Sequence, residues 1–196
     1  MNPITPQTLD DALDALAAFL EDAKATPEHL VLIGGAALLA LGLVSRTTRD
    51  VDIMAGVDAR SGLVDPRPLS EALKWAAEKV ARELDLHPQW LNTGPADQLQ
   101  AGLPEGFLSR LTRRDYRSHL MIYLPDRYDL IHLKLFAAVD QGTGRHTRDL
   151  AALKPNDEEW LAAARWVITQ DAGEVFPELV RQTLKETGHE SLAERI

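Results

Sequence analysis

The pattern of hydrophobic and polar residues predicts alternating helices and strands in the first part of the chain. Leucines recur at helical spacing over residues 8–24, with Thr8 as the expected N-terminal cap. Residues 29–33 are a β-rich run closed by two glycines, and residues 36–43 are small and apolar, as in a helix packed closely on a sheet. Residues 50–54 alternate acidic and apolar side chains, which predicts a second strand.

The remaining pattern predicts one more helix and one more strand, followed by helices alone. The helix covers residues 69–86 and the strand residues 118–124. The helices that follow cover residues 129–141, 148–153, 156–170 and 176–188. This order predicts an α/β (α+β) fold in which helices flank a small mixed sheet. We expect one domain over residues 1–153 and a C-terminal helical extension over residues 154–196 that packs on it.

The composition narrows the chemistry that the chain performs. None of its 196 residues is cysteine, which excludes disulfide scaffolds, zinc–thiolate sites and thiol catalysis, so any metal is held by oxygen or imidazole ligands. No apolar run approaches the roughly 18 residues needed to cross a bilayer. The N-terminus lacks the basic segment of a secretory signal. We therefore expect a cytoplasmic protein with no membrane partner.

The net charge argues against loose binding to nucleic acids. The chain carries 21 basic and 30 acidic residues, a formal charge of −9, whereas affinity for RNA or DNA rests on neutralising phosphates with Lys and Arg. A local basic patch can outweigh the net charge. Two such patches are Arg110, Arg113, Arg114 and Arg117, and Arg145, His146 and Arg148.

Two short motifs together predict a metal and phosphate site. Asp50 and Asp52, the acid pair, project from one face of the predicted strand with Cα atoms roughly 6.5–7 Å apart. That spacing lets them converge on one Mg²⁺ ion or bracket two, as in-line phosphoryl transfer requires. Gly34 and Gly35, the glycine turn, let the backbone approach a triphosphate at the start of a helix. Alone, each motif also fits a polar strand face or a simple turn.

These motifs resemble the opening motif of the DNA polymerase β-like nucleotidyltransferases. The resemblance lies in residues 32–38 (LIGGAAL) and 45–53 (SRTTRDVDI). It is stronger for the bacterial branch that includes the AbiEii-like toxins of type IV toxin–antitoxin systems. Residues 129–137 (DLIHLKLFA) and 145–150 (RHTRDL) are similar to later motifs of that branch.

The resemblance implies a nucleotidyltransferase fold and a role for each matching residue. The acid pair, Asp50 and Asp52, would ligate Mg²⁺, and Gly34 and Gly35 would hold the triphosphate of an NTP. Lys134 would contact phosphate and Asp149 would complete the site, while Arg46 and Arg49 would steady the phosphates or the carboxylates. Lys134 also lies on an apolar helix face, where a lysine either extends its amine to solvent or meets an anion.

The sequence departs from the family pattern at several positions, and these departures leave two functions open. Active members commonly carry a third carboxylate on a later strand, but residues 118–124 contain none, and Asp126 and Asp129 lie just beyond. The favoured function is Mg²⁺-dependent transfer of a nucleoside monophosphate from an NTP to a hydroxyl of RNA, protein or a small molecule. The alternative is a catalytically degenerate nucleotide-binding module, or a toxin–antitoxin module that binds a cognate antitoxin or toxin.

Overall fold

The computed structural model describes all 196 residues, and their contacts form two compact units. The first unit, Met1–Asp126, holds every strand, and the second, Arg127–Ile196, is entirely helical and loop. The predicted fold class, a mixed α/β fold with a helical C-terminal part, is therefore confirmed. The domain boundary expected after residue 153 stays a prediction.

The first unit is built on one mixed sheet. Its elements are α1 (Pro6–Asp22), β1 (Glu28–Ile33), α2 (Gly34–Ala40), β2 (Val51–Asp58), β3 (Gly62–Val64), α3 (Glu71–Glu83), β4 (Leu91–Asn92), α4 (Gln98–Ala101), β5 (Thr112–Tyr116) and β6 (Leu120–Leu124). The strand order is β3-β2-β1-β6-β5, and β4 also pairs with β2. Strand β1 runs antiparallel to β2 and parallel to β6, so it lies at the centre of the sheet.

Helix α1 begins earlier than its leucine pattern predicts. Its cap is Thr5 rather than Thr8, because the Thr5 hydroxyl oxygen accepts the backbone N–H of Thr8 at 3.1 Å. Pro6 is the first helical residue, where its fixed φ suits the helix and its missing N–H costs no hydrogen bond. The buried face of α1 packs against α2 and α3 and also contacts β6.

Three strands of the sheet were not predicted, and each is short or polar. Strand β5 has the sequence TRRDY at the sheet edge, where no apolar alternation marks it. Strands β3 and β4 have three and two residues and lie between the predicted elements. Pairing with β2 or β6 creates these strands, so a period within the segment itself cannot reveal them. The other predicted elements are correct to within a few residues at their ends.

The second unit contains the remaining helices. These are α5 (Arg127–Gln141), α6 (Arg145–Leu153), α7 (Asp157–Ile168), α8 (Phe176–Glu186) and α9 (Glu190–Ala193). Helix α5 contacts α6, α7 and α8. Asn156 caps α7 as expected, and Glu159 returns a hydrogen bond to its backbone N–H. The Arg127 guanidinium bonds to Glu159 and holds the pKa of that carboxyl below its ordinary value.

None of the nine α-helices has both the length and the apolar character needed to span a bilayer.

Trp90 fixes strand β4 to the rest of the first unit. Its side chain is 0% exposed, and its indole N–H donates to the backbone oxygen of Ala77 in α3 at 3.0 Å. Its own backbone oxygen accepts the N–H of Val51, the first residue of β2, at 2.5 Å. Trp90 therefore ties α3 and β4 to the beginning of the strand that carries Asp52.

We expect Trp90→Ala to lower the free energy of unfolding by about 3–5 kcal/mol, because it removes a fully buried ring and leaves a cavity. Urea denaturation of the full chain measures this. Trp75→Ala is the matched control, since Trp75 lies in α3 but is 42% exposed. Equal losses in the two variants would contradict the anchoring role of Trp90.

Candidate active site

The glycine turn lies against the carboxylate of Asp52. Between Val31 and Leu32 the pairing of β1 with β2 shifts by one residue, so that Ile33 faces Asp52. Gly34 follows directly with φ +70°, in the left-handed region that favours glycine. A Cβ atom at this position would also collide with Oδ2 of Asp52. Glycine is therefore favoured here both by its backbone conformation and by the carboxylate beside it.

The second residue of the glycine turn is covered by the loop that precedes β2. Gly35 is buried, and a Cβ atom there would lie 2.8 Å from Oγ1 of Thr48 and 3.2 Å from Nη2 of Arg46. Thr48 is held by the N-terminal segment, because it exchanges two backbone hydrogen bonds with Ile4 at 2.8 and 3.0 Å. The loop thus brings one hydroxyl and one guanidinium onto the glycine turn.

Asp52 borders this turn, and Asp50 is linked to it through Thr48. Asp50 lies just before β2 and Asp52 lies on it, and each is partly exposed. Oδ1 of Asp50 accepts the Thr48 hydroxyl at 3.2 Å, and the same hydroxyl oxygen contacts the Gly35 position. Oδ1 of Asp52 accepts the side-chain amide of Asn92 at 3.2 Å. One carboxylate, a hydroxyl and a guanidinium therefore lie against the glycine turn, and a second carboxylate and an amide are hydrogen-bonded to these groups.

The two arginines of the loop have different positions. Arg46 lies over Gly35 and also donates from Nη1 to the backbone oxygen of Thr47 at 2.9 Å. Arg49 is exposed at a bend. Of the two, Arg46 is the one that the structure brings to the glycine turn.

The donor set fits Mg²⁺ that arrives with phosphates better than a permanently held ion. No group of three or more His, Asp or Glu side chains is arranged to hold a metal in this chain. Mg²⁺ commonly uses one or two carboxylates and fills its other positions with water and substrate phosphates. The acid pair would supply such a set beside the backbone of the glycine turn.

Lys134 and Asp149 meet each other inside the second unit. Lys134 lies on α5 and Asp149 on α6, with Nζ and Oδ2 2.7 Å apart. The two residues are 5% and 1% exposed. The lysine on the apolar helix face therefore has an anion as its neighbour, and that anion is the carboxylate predicted to serve the same site.

The arginine patch at residues 110–117 is largely offset by carboxylates. Arg117 is paired with Asp14 at 2.8 Å, and Arg110 with Asp126 at 3.8 Å. Arg113 is paired with Asp115 in the same way. These partners reduce the positive charge that a phosphate backbone would bind.

A groove of about 680 Å³ lies away from the acid pair. Its lining includes Glu28, His29, Gly56 and Tyr123. Glu28 and His29 begin β1, whereas the glycine turn follows its last residue, so the groove lies at the other end of the strand. We do not assign it to the site.

Thr48 and Asn92 belong to the candidate site but were not predicted from the sequence as site residues. Thr48 lies inside the family-like segment, but nothing in the pattern marks its hydroxyl as the link between Asp50 and the glycine turn. Asn92 lies between the helix predicted over residues 69–86 and the strand predicted over residues 118–124. The available signal was its place directly after the apolar Trp90 and Leu91, which is typical of a polar residue at the end of a buried strand.

Comparison with known proteins identifies a family to which this chain belongs. The fold is consistent with that of a nucleotidyltransferase, as predicted. In particular, the chain belongs to the family described as nucleotidyltransferases of unknown function (DUF6036), whose sequence model matches residues 8–150. The match spans the glycine turn, the acid pair, Lys134 and Asp149. Searches of the curated proteins and of the solved structures gave no match.

We expect Gly34→Ala to destabilise the protein more than Gly42→Ala. Both positions have nearly the same positive φ, +70° and +67°, which costs about 1–2 kcal/mol for alanine. Only at Gly34 does the added methyl group meet a carboxylate, whereas nothing lies within 4 Å of a Cβ at Gly42. Urea denaturation of both variants isolates the effect of this close approach. Equal destabilisation would show that Asp52 does not constrain residue 34.

We expect Lys134→Met and Asp149→Leu each to lower the free energy of unfolding by about 3–5 kcal/mol, because each removes the opposite charge from a buried carboxylate or amine. The double variant should lose less than the sum of the two. Urea denaturation of all four proteins completes the cycle. Additive losses, or single variants as stable as the wild type, would contradict a stabilising ion pair.

Proposed function

We propose that this protein transfers a nucleoside monophosphate from an NTP to a hydroxyl acceptor, with Mg²⁺, at the glycine turn and the acid pair. The observation that supports this most is the close approach of the Asp52 carboxylate to Gly34, where a side chain would leave no room. A carboxylate beside bare backbone is an arrangement suited to a cation that bridges protein and phosphate.

The charges around the turn support the participation of a divalent cation. A triphosphate and two carboxylates repel one another strongly at short range. Arg46 adds one positive charge at the turn, which is too little to offset them. Mg²⁺, when bound, would neutralise the phosphates and stabilise the charge that develops in transfer, as one ion or two.

The residues of the chain then hold the nucleotide in line with its acceptor. The backbone of the glycine turn and the guanidinium of Arg46 contact the phosphates, and the acid pair fixes the cation. The acceptor oxygen bonds to the α-phosphorus as the bond to the bridging oxygen breaks. Pyrophosphate leaves, and the hydroxyl proton passes to solvent. Catalysis by this scheme rests mainly on positioning and electrostatics.

The finer assignments rest on the resemblance. It suggests the AbiEii-like branch, a cognate antitoxin or toxin as partner, and direct phosphate contacts for Lys134 and Arg49. For Lys134 such a role requires Nζ to exchange Asp149 for a phosphate oxygen. Among RNA, protein and small-molecule acceptors, the charge of −9 and the paired arginines favour the last two.

A second candidate is a nucleotide-binding module without turnover. The acid pair has no third acidic partner in a metal-binding group, and the side chain beside Asp52 on the next strand is the neutral amide of Asn92. Such a site would bind an NTP with Mg²⁺ but transfer nothing. Calorimetric binding of an NTP to a protein inactive with every acceptor class would favour this candidate.

Incorporation of labelled NTP in the presence of Mg²⁺ tests the transferase directly. Asp50→Asn and Asp52→Asn should each reduce transfer by about 100-fold or more, because each removes a charge that holds the cation. Asp58→Asn is the matched control, since Asp58 lies on the same strand but at its far end. Incorporation that is equal in all four proteins would contradict the proposal.

A further inference from the structure

Asn92 lies directly beside Asp52 on the neighbouring strand. Strands β2 and β4 are parallel, and their register pairs Asp52 with Asn92. Residues paired in this way project from the same face of a sheet. The side-chain amide nitrogen of Asn92 donates to Oδ1 of Asp52 at 3.2 Å.

The orientation of the Asn92 amide is set by a second hydrogen bond. Its carbonyl oxygen accepts the backbone N–H of Gly94 at 2.8 Å, which commits that oxygen to the turn after β4. The NH₂ group therefore faces Asp52, since the two ends of an amide are distinguished by their partners. Trp90 anchors β4 two residues earlier, so the amide rests on a fixed strand.

The two oxygens of Asp52 consequently have different surroundings. Oδ1 receives the amide of Asn92, and Oδ2 lies against Gly34. A carboxylate held by a donor on one oxygen has a fixed rotamer and presents its other oxygen in a defined direction. That direction is toward the glycine turn.

We propose that Asn92 is a positioning residue that holds Oδ1 of Asp52 and thereby presents Oδ2 to the cation of a bound Mg²⁺–nucleotide. The inference rests on the proposed function of the same site. A neutral donor at residue 92 orients the carboxylate without adding charge, so the site keeps two acidic groups. An acid at this position would lie within hydrogen-bond distance of Asp52 and add a third.

Binding of Mn²⁺ in the presence of a non-hydrolysable NTP, followed by the electron paramagnetic resonance signal of free Mn²⁺, tests this inference without turnover. Asn92→Ala should weaken Mn²⁺ binding by about 10–100-fold, as loss of a partner of a metal ligand does. Asn92→Asp keeps the acceptor for Gly94 but has no N–H to donate to Oδ1 of Asp52, so it should also weaken Mn²⁺ binding, by about tenfold. Asn156→Ala, which removes a helix cap in the second unit, should bind as the wild type does.

Each result is decisive. Weaker Mn²⁺ binding in both Asn92 variants supports the inference, because a residue that only shaped the turn would leave Mn²⁺ affinity unchanged in Asn92→Asp. Wild-type or tighter binding in either variant would overturn it. If the wild type itself binds no Mn²⁺ with nucleotide, the proposed function fails rather than the role of Asn92. Urea denaturation of each variant confirms that it is folded at the concentrations used.

Discussion

The register between β1 and β2 is the constraint on which the site depends. Ile33 faces Asp52 only because the pairing skips Met54 on β2. Without that one-residue shift, Ile33 would face Ile53, whose side chain points to the other face of the sheet. The one-residue shift therefore places a carboxylate, rather than an apolar side chain, beside the residue that follows β1. At position 34, glycine is the residue type that best accommodates both that carboxylate and the local backbone conformation.

The rest of the first unit holds this register from both sides. On one side, the N-terminal segment pairs with Thr48 and so fixes the loop that carries Arg46 to the glycine turn. On the other, α3 holds Trp90, and Trp90 holds β4 and the amide beside Asp52. The polar groups of the site are thus supported by elements far apart in the sequence. Such support keeps binding groups in place before a ligand arrives, which is how a site lowers the cost of binding and of reaction.

The sequence was most informative where function and local structure use the same residues. The glycine turn and the acid pair could be predicted because a strand, a tight turn and an alternating strand each have a local sequence pattern. Asn92 does not, since a two-residue strand has no period and its role arises from a neighbour 40 positions away in the chain. Strand β5 was missed for the same reason, because its polar residues become a strand only by pairing with β6. The apolar face around Lys134 left two alternatives open, solvent and an anion, and the structure shows that the neighbour is an anion, Asp149.

The proposed function requires that the glycine turn and the acid pair together bind a metal–nucleotide complex. A crystal structure of the full chain with a non-hydrolysable NTP and Mn²⁺, in which anomalous scattering locates the metal, would show whether they do. We expect a Mn²⁺ peak ligated by Asp50, by Oδ2 of Asp52 and by phosphate oxygens, with the phosphates against Gly34 and Gly35. A nucleotide bound elsewhere, or a metal that contacts neither aspartate, would contradict it.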